Sequence, residues 1–174
     1  MNYDYILGID PSGNFKEGKG TTGLALVDAH TNQLVTHTIV SASDYTRMEL
    51  YWDANLNLIT TLANQLTHTG IVMEDYVLYN TRAKAQVNST LETPKLIGLL
   101  QWWFYKNKIP YHMQLASAIK SRWTDELLAK KKIIIKHGNT FRQPGTLINI
   151  NHHSRDALRH AVHYATFYNI KEEA

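Results

Sequence analysis

The chain has 174 residues, of which 44% are hydrophobic and 19% charged, and it has no cysteine. That length suits one compact domain with its own core, so a single domain over residues 1–174 is expected. The missing thiols exclude a disulfide framework and a thiolate metal centre. No stretch approaches the roughly 18 uninterrupted apolar residues of a membrane span, and the opening MNYDYILGID carries Asp4 beside only a short apolar run. Neither a membrane span nor a secretion signal is expected, and the cytoplasm is the expected compartment. The net charge of +3 hides a segregation. Residues 1–80 hold three basic groups against nine acids, residues 81–145 hold twelve against three, and the remainder is balanced. Such a chain can hold cations with one part and a polyanion with another.

YILGID is an apolar run of strand formers closed by Pro11-Ser12-Gly13, which predicts a first strand entering a turn. Residues 14–20 are polar and glycine-rich and predict a loop. TTGLALVDA resumes as a strand, His30-Thr31-Asn32 turns, and QLVTHTIVSA alternates as a third strand, completing an antiparallel meander. From Asp44 or Tyr45 the period changes: Leu50, Ala54, Leu58, Leu62 and Leu66 recur at helical spacing, with Gly70 as the stop. IVMEDYVL is a fourth strand ending in acids, and residues 81–106 read as helical, with Pro94 marking a break or a start. IPYHMQ is a fifth strand and ASAIKSRWTDELLAKKKI one helix with a basic end. HGNTFRQPGTLINI is turn-rich, and HHSRDALRHAVHYATFYN is a closing helix. Strands four and five, separated by a helix, should pair in parallel by a right-handed crossover. The fold class is α/β, a mixed five-stranded sheet flanked by helices.

Asp10 and Glu74 each finish a buried apolar strand, which places a carboxylate at the sheet rim where ligands bind. Asp156 lies near the start of the last helix, within reach of both. Converging carboxylates repel unless a cation sits between them, and hard oxygen donors suit Mg²⁺ or Mn²⁺. Two such ions roughly 4 Å apart activate a water and stabilise the leaving oxygen in phosphodiester cleavage. Asp75 points to the opposite face from Glu74 and reads as a supporting or solvent residue.

ILGIDPSG followed by GTTGLALVD resembles the first motif of RuvC-like Holliday junction resolvases of the phage type, members of the ribonuclease H-like superfamily. VMEDY resembles their second acidic motif, HHSRDALRHAVHYA their last, and LASAIKSRWTDELLAKKKII their basic segment. These motifs span nearly the whole chain in the family's order. The resemblance implies a ribonuclease H-like fold and a metal-dependent endonuclease that nicks branched DNA in pairs as a homodimer. Its site would be Asp10, Glu74, His153 and Asp156 holding two Mg²⁺ or Mn²⁺ ions, with Lys120 at the scissile phosphate. If the chain is phage-encoded, the compartment is the host cytoplasm. His153 stands where the family carries a fourth acid. Three residues before Asp156 on one helix face, its imidazole is a ligand or a proton carrier. His152 competes with it, because a helix start shifts by one residue. His160 and His163 are expected at ordinary half-buried or surface positions. The family's turn after the first Asp is tighter than Ser12-Gly13 and the polar loop behind it.

Lys120, Arg122, Lys130, Lys131, Lys132 and Lys136 form a dense positive stretch, the kind of surface that neutralises DNA phosphates. Tyr76 and Tyr79, followed by Arg82 and Lys84, offer rings for an unpaired base at a branch. The family's aromatic slot here holds Val77, so one of those tyrosines would replace it. Trp102, Trp103, Phe104 and Tyr105, with Leu96, Leu99 and Leu100, read mainly as core, their excess as a dimer face. Three other functions compete. A ribonuclease H would use the same carboxylates on RNA–DNA hybrids, and a non-catalytic module would only bind branched DNA. A nucleotide-binding protein of the actin and sugar-kinase superfamily would need two large domains, for which this chain is too short, so no nucleotide cofactor is expected.

Overall fold

The computed structural model describes residues 3–16, 18–77 and 91–169. Strands β1 (Tyr5–Asp10), β2 (Thr21–Asp28), β3 (Leu34–Ser41), β4 (Thr69–Asp75) and β5 (Tyr111–Leu115) form one sheet in the order β3-β2-β1-β4-β5. The first three pair antiparallel, while β1 with β4 and β4 with β5 pair parallel. Helix α1 (Met48–Gln65) and helix α2 (Glu92–Lys106) precede β4 and β5. Then come α3 (Ala116–Arg122), α4 (Asp125–Lys130), the small strands β6 (Ile135–His137) and β7 (Thr140–Arg142), and the last helix α5 (His152–Phe167).

Both faces of the sheet are covered, which is why its central strands read as unbroken apolar runs. Leu7, Ile9, Leu24, Leu26, Ile71 and Met73 pack under α1 and α2 with Ile59, Leu62, Leu96, Leu100 and Phe104. Ile6, Ala25, Val27 and Val72 face the other way, under α5, with Ala157, Leu158 and Ala161. Alternation along β1 and β4 therefore turns Gly8 and Asp10, and also Glu74, toward α5.

Several expectations shift. Helix α1 starts at Met48, and its buried stripe is Tyr51, Asn55, Ile59 and Leu62, while Leu50 is 45% exposed. Tyr51 decides that rotation: its hydroxyl bonds Thr22 Oγ1 at 3.1 Å and donates to the Ser12 carbonyl. Gly70 is not a helix stop but a position inside β4, where a Cβ would overlap the Tyr3 ring. Pro94 sits in the first turn of α2, where its missing N–H is harmless; the earlier part of the expected helix lies outside the described residues.

The expected single helix after β5 is two. Trp123 breaks it, and Thr124 caps α4 by accepting the Leu127 N–H at 3.2 Å. The turn-rich stretch is ordered as well. Gly138 (φ 59) and Asn139 close a two-residue hairpin between β6 and β7. Pro144 and Gly145 (φ 74) then turn the chain back, with the Thr146 N–H on the Gln143 carbonyl at 3.2 Å, the pattern of a type II turn.

Candidate active site

Asp10 ends β1, one residue past the pairing of Ile9 with Met73, so Glu74 is its neighbour on β4 across one strand spacing. Gln114 on β5 is paired with Glu74 in turn. All three lie under α5, and two glycines set how close that helix comes. A Cβ on Gly8 would overlap the Ala157 carbonyl, and one on Gly23, the residue paired with Asp10 on β2, would overlap the His153 backbone. Ser154 Oγ donates to the Thr38 carbonyl at 2.8 Å and ties the same turn of α5 to β3. Helical spacing then lines up His153, Asp156 and His160 along the sheet rim.

His153 Nδ1 lies 2.9 Å from Asp10 Oδ2. Lys120 Nζ bridges Glu74 Oε2 at 3.2 Å and Asp156 Oδ2 at 2.8 Å. His160, fully buried, places Nε2 3.1 Å from Glu74 Oε2 and Nδ1 2.9 Å from Gln114 Oε1. The other Asp156 oxygen accepts from Arg159 Nη1, while Arg159 Nη2 donates to Asp125 Oδ1 at 2.6 Å. Asp125 also accepts from Arg155 Nε. Asp10, Glu74, His153, Asp156 and Lys120 thus meet in one patch.

Burial pushes the Asp10 carboxyl up to about 6; the hydrogen bond with His153 opposes this, and the charges of Glu74 and Asp156 add to it. Burial also works against ionised Glu74, but the bond with His160 and the charge of Lys120 outweigh it, so its carboxyl is held below the usual value. For Lys120 the loss of solvation is overcome by the bond to Asp156 and by the surrounding carboxylates, and its ammonium is held above the usual value. The three carboxylates are hard donors that fit Mg²⁺ or Mn²⁺, and the imidazole beside them is a softer one. The Lys120 ammonium already supplies positive charge between two of them. Among the described residues, no three His, Asp or Glu side chains are gathered around one cation position. Asp10 is turned to His153, and Glu74 and Asp156 to Lys120.

The remaining sequence-selected residues are placed as follows. His152 is exposed, its ring tilted at 39° to that of His153 with 3.9 Å between centroids, and His153 is the histidine that faces Asp10. Tyr76 is half-buried and packs against the core under α1 and α2. Tyr79, Arg82 and Lys84 lie outside the described residues. Asp75 is half-buried at the end of β4. Arg122 sits two residues from Lys120 on another face of α3, its guanidinium 4.3 Å from the Phe167 ring centroid. Lys130, Lys131 and Lys132 are exposed. The β1–β2 loop is fastened to α2: the Gly13 N–H bonds Thr93 Oγ1 at 3.0 Å, and the Lys16 N–H bonds Glu92 Oε2 at 3.2 Å.

Two histidine expectations are overturned. His160 is neither half-buried nor superficial but wedged between Glu74 and Gln114. His163 is buried, and its Nδ1 accepts the Trp123 indole N–H at 3.2 Å. Sequence reading missed His160, Gln114, Arg159 and Asp125. The signal for two of them was present, since Arg159 and His160 follow Asp156 by three and four residues on one helix.

No family model and no curated protein matches the sequence. Its structure, however, is similar to RuvC of T. thermophilus in complex with Holliday junction substrate. The TM-score is 0.67, with 13% identity over 96% of this chain and 98% of that chain. A second structure of Thermus thermophilus RuvC gives 0.64, with 15% identity over 94% of each chain. The chain therefore has an α/β fold of the ribonuclease H-like kind. Its mixed five-stranded sheet flanked by helices matches the fold of RuvC.

Proposed function

We propose that the chain is a divalent-cation-dependent endonuclease that resolves four-way and other branched DNA by paired nicks. The observation that carries this reading is the meeting of Asp10, Glu74 and Asp156, from β1, β4 and α5, in one patch with His153 and Lys120. RuvC bound to a junction, the similar structure, supports the choice of substrate.

Asp10, Glu74, Asp156 and His153 would hold two Mg²⁺ or Mn²⁺ ions, which supply an activated water and neutralise the leaving oxygen when bound. The chain's own groups do the rest. Lys120, half-exposed between two carboxylates, turns its ammonium to a phosphate oxygen. His160 and Arg159 fix the rotamers of Glu74 and Asp156, the support that ligands of a reactive centre need. Lys130, Lys131 and Lys132, with Arg122 beside them, take backbone phosphates without reading sequence. Tyr79, Arg82, Lys84 and Tyr76 would border the branch. Trp102 and Tyr105, 58% and 78% exposed on α2, support a two-fold homodimer that would bring two sites to one junction.

The test is incubation of the protein with a labelled four-way junction and Mg²⁺ or Mn²⁺, beside linear duplex and RNA–DNA hybrid. Paired nicks in the junction alone, lost with Asp10→Asn, are expected. Preferred cutting of the hybrid would assign a ribonuclease H, and binding without cutting a non-catalytic module. Sedimentation analysis checks the dimer.

A further inference from the structure

From Leu127 to Arg155 the chain carries no Asp or Glu, but it holds Lys130, Lys131, Lys132, Lys136 and Arg142. That segment folds into a small antiparallel ribbon. Ile135, Lys136 and His137 pair with Arg142, Phe141 and Thr140. The chain then returns along residues 148–150, with Arg142 bridged to Asn149, the Ile150 N–H on the Phe141 carbonyl at 2.7 Å and the Gln143 N–H on the Ile148 carbonyl at 3.1 Å.

One face of this ribbon is anchored. Phe141 and Ile150 join the core under α5 with Ile133 and Ile134. Arg155 lays its guanidinium 4.9 Å from the Phe141 ring centroid and donates to the Ile150 carbonyl at 2.9 Å. Gln143 Nε2 donates to the Val35 carbonyl on β3 at 2.8 Å. The other face, where Ile135, Arg142 and Asn149 line up across three strands beside His137 and Thr140, is turned to solvent. Arg142 Nε donates to Asn149 Oδ1 at 3.2 Å, which leaves the far end of the guanidinium outward. Leu147 stands 84% exposed beyond the Pro144-Gly145 turn.

We propose that this ribbon is a clamp for one double-stranded arm of the DNA substrate; this rests on the nuclease reading above. Its solvent face carries Arg142, Lys136 is exposed on the side it shares with Phe141, and the segment holds no acid, which fits phosphates. A β-ribbon has the width of a duplex groove, where Leu147 would meet sugar and base edges. The ribbon's single aromatic, Phe141, is buried, so it offers no stacking platform for single strands. Position follows from chain length. Asn149 is four residues before His153, so the two lie within about 14 Å of each other. Arg142 lies one strand spacing of about 5 Å beyond Asn149, so at about 3.4 Å per nucleotide along a strand it grips phosphates within about six nucleotides of the cut.

The test uses Lys136→Gln and Arg142→Gln, singly and together, in an Asp10→Asn background that does not cut. Junction binding is read by anisotropy from about 50 to 200 mM KCl. The double variant should bind about tenfold more weakly and lose about 2 from the slope of log affinity against log salt, each single variant about 1. Ethylation of single phosphates within about six nucleotides of the cut should include a position that weakens the parent and not the double variant. Unchanged affinity and slope in a variant that melts like the parent overturns the clamp, as does a changed oligomeric state with DNA binding intact. A parent that binds no junction removes the nuclease reading itself, a separate result.

Discussion

The two faces of the sheet are built on different terms. Under α1 and α2 the contact is large and mostly apolar, with Phe104, Leu100, Leu96 and Ile59 fully buried in one cluster with Leu7 and Ile9. Under α5 the same strands present Gly8, Gly23, Asp10 and Glu74, and the helix answers with His153, Asp156 and His160. One face stabilises by area. The other gives up side-chain volume so that a helix backbone can approach and set polar groups against the strand ends. Stability and chemistry are thus separable by face.

The largest effect on stability is expected on the apolar side. Phe104→Ala should cost about 3–5 kcal/mol, a fall of roughly 10 °C or more in melting temperature. Nicking per folded molecule should change less than about twofold, since nothing at the rim rests on that ring. Gly23→Ala should cost less stability, about 3 kcal/mol, because the new Cβ must displace the His153 backbone. It should nonetheless slow nicking about 100-fold, as misplacements near 1 Å do. Equal losses of rate in the two variants would erase the distinction between faces.

Asp10→Asn reverses the sign of the stability change. The Asp10 carboxyl is raised from 3.8 to about 6 by burial, so the folded protein holds a proton there that the unfolded chain has lost. The stability linked to that proton is fully present below 3.8 and disappears as pH rises through about 6. Cation-free protein should therefore weaken between those values. At pH 8 Asp10→Asn should be about 2–3 kcal/mol more stable than the parent while nicking nothing. Denaturant titrations at pH 4 and pH 8 check this, and a variant no more stable than the parent at pH 8 refutes it.

Asp10 and Glu74 were legible because an apolar run ending in a single carboxylate needs no tertiary knowledge to interpret. The sheet order was legible for a similar reason, since chain order and a crossover leave few alternatives. Lys120 and His153 came from family resemblance, which carries positions but not contacts. His160 stayed hidden because its meaning depends on how near α5 lies to β4, and that distance is set by glycines whose role is visible only in three dimensions. The ribbon was missed for a different reason. Gly138-Asn139 and Pro144-Gly145 are ordinary hairpin and turn signals, but the strands between them are only three residues long. In strands so short, alternation cannot be recognised, and anchoring by Arg155 and Phe141 supplies the order instead.

His160 gives a further way to sharpen the contrast. His160→Ala should weaken Mn²⁺ binding about 10–100-fold, measured by calorimetry without DNA, because Glu74 loses the partner that holds its rotamer. His160→Gln keeps a donor and should recover part of that affinity. A histidine that merely fills space would lower the melting temperature in both variants and leave ion affinity alone.

The smallest effect is expected at α4, whose Leu128 joins the core on the α5 side. Thr124→Ala removes the acceptor for the Leu127 N–H and should cost about 1 kcal/mol, roughly 2–4 °C. The helix has only six residues, so the loss is felt at once by its first one, Asp125. That carboxylate holds Arg155, which grips the ribbon, and Arg159, which holds Asp156. If α4 serves only to pack, nicking should follow the small stability change and fall less than about threefold at a temperature where the variant is fully folded. A loss above tenfold with the same melting shift would mean that the Asp125 grip tunes the rim itself, and the boundary between the stabilising and the reactive parts of the molecule would have to be redrawn to include α4.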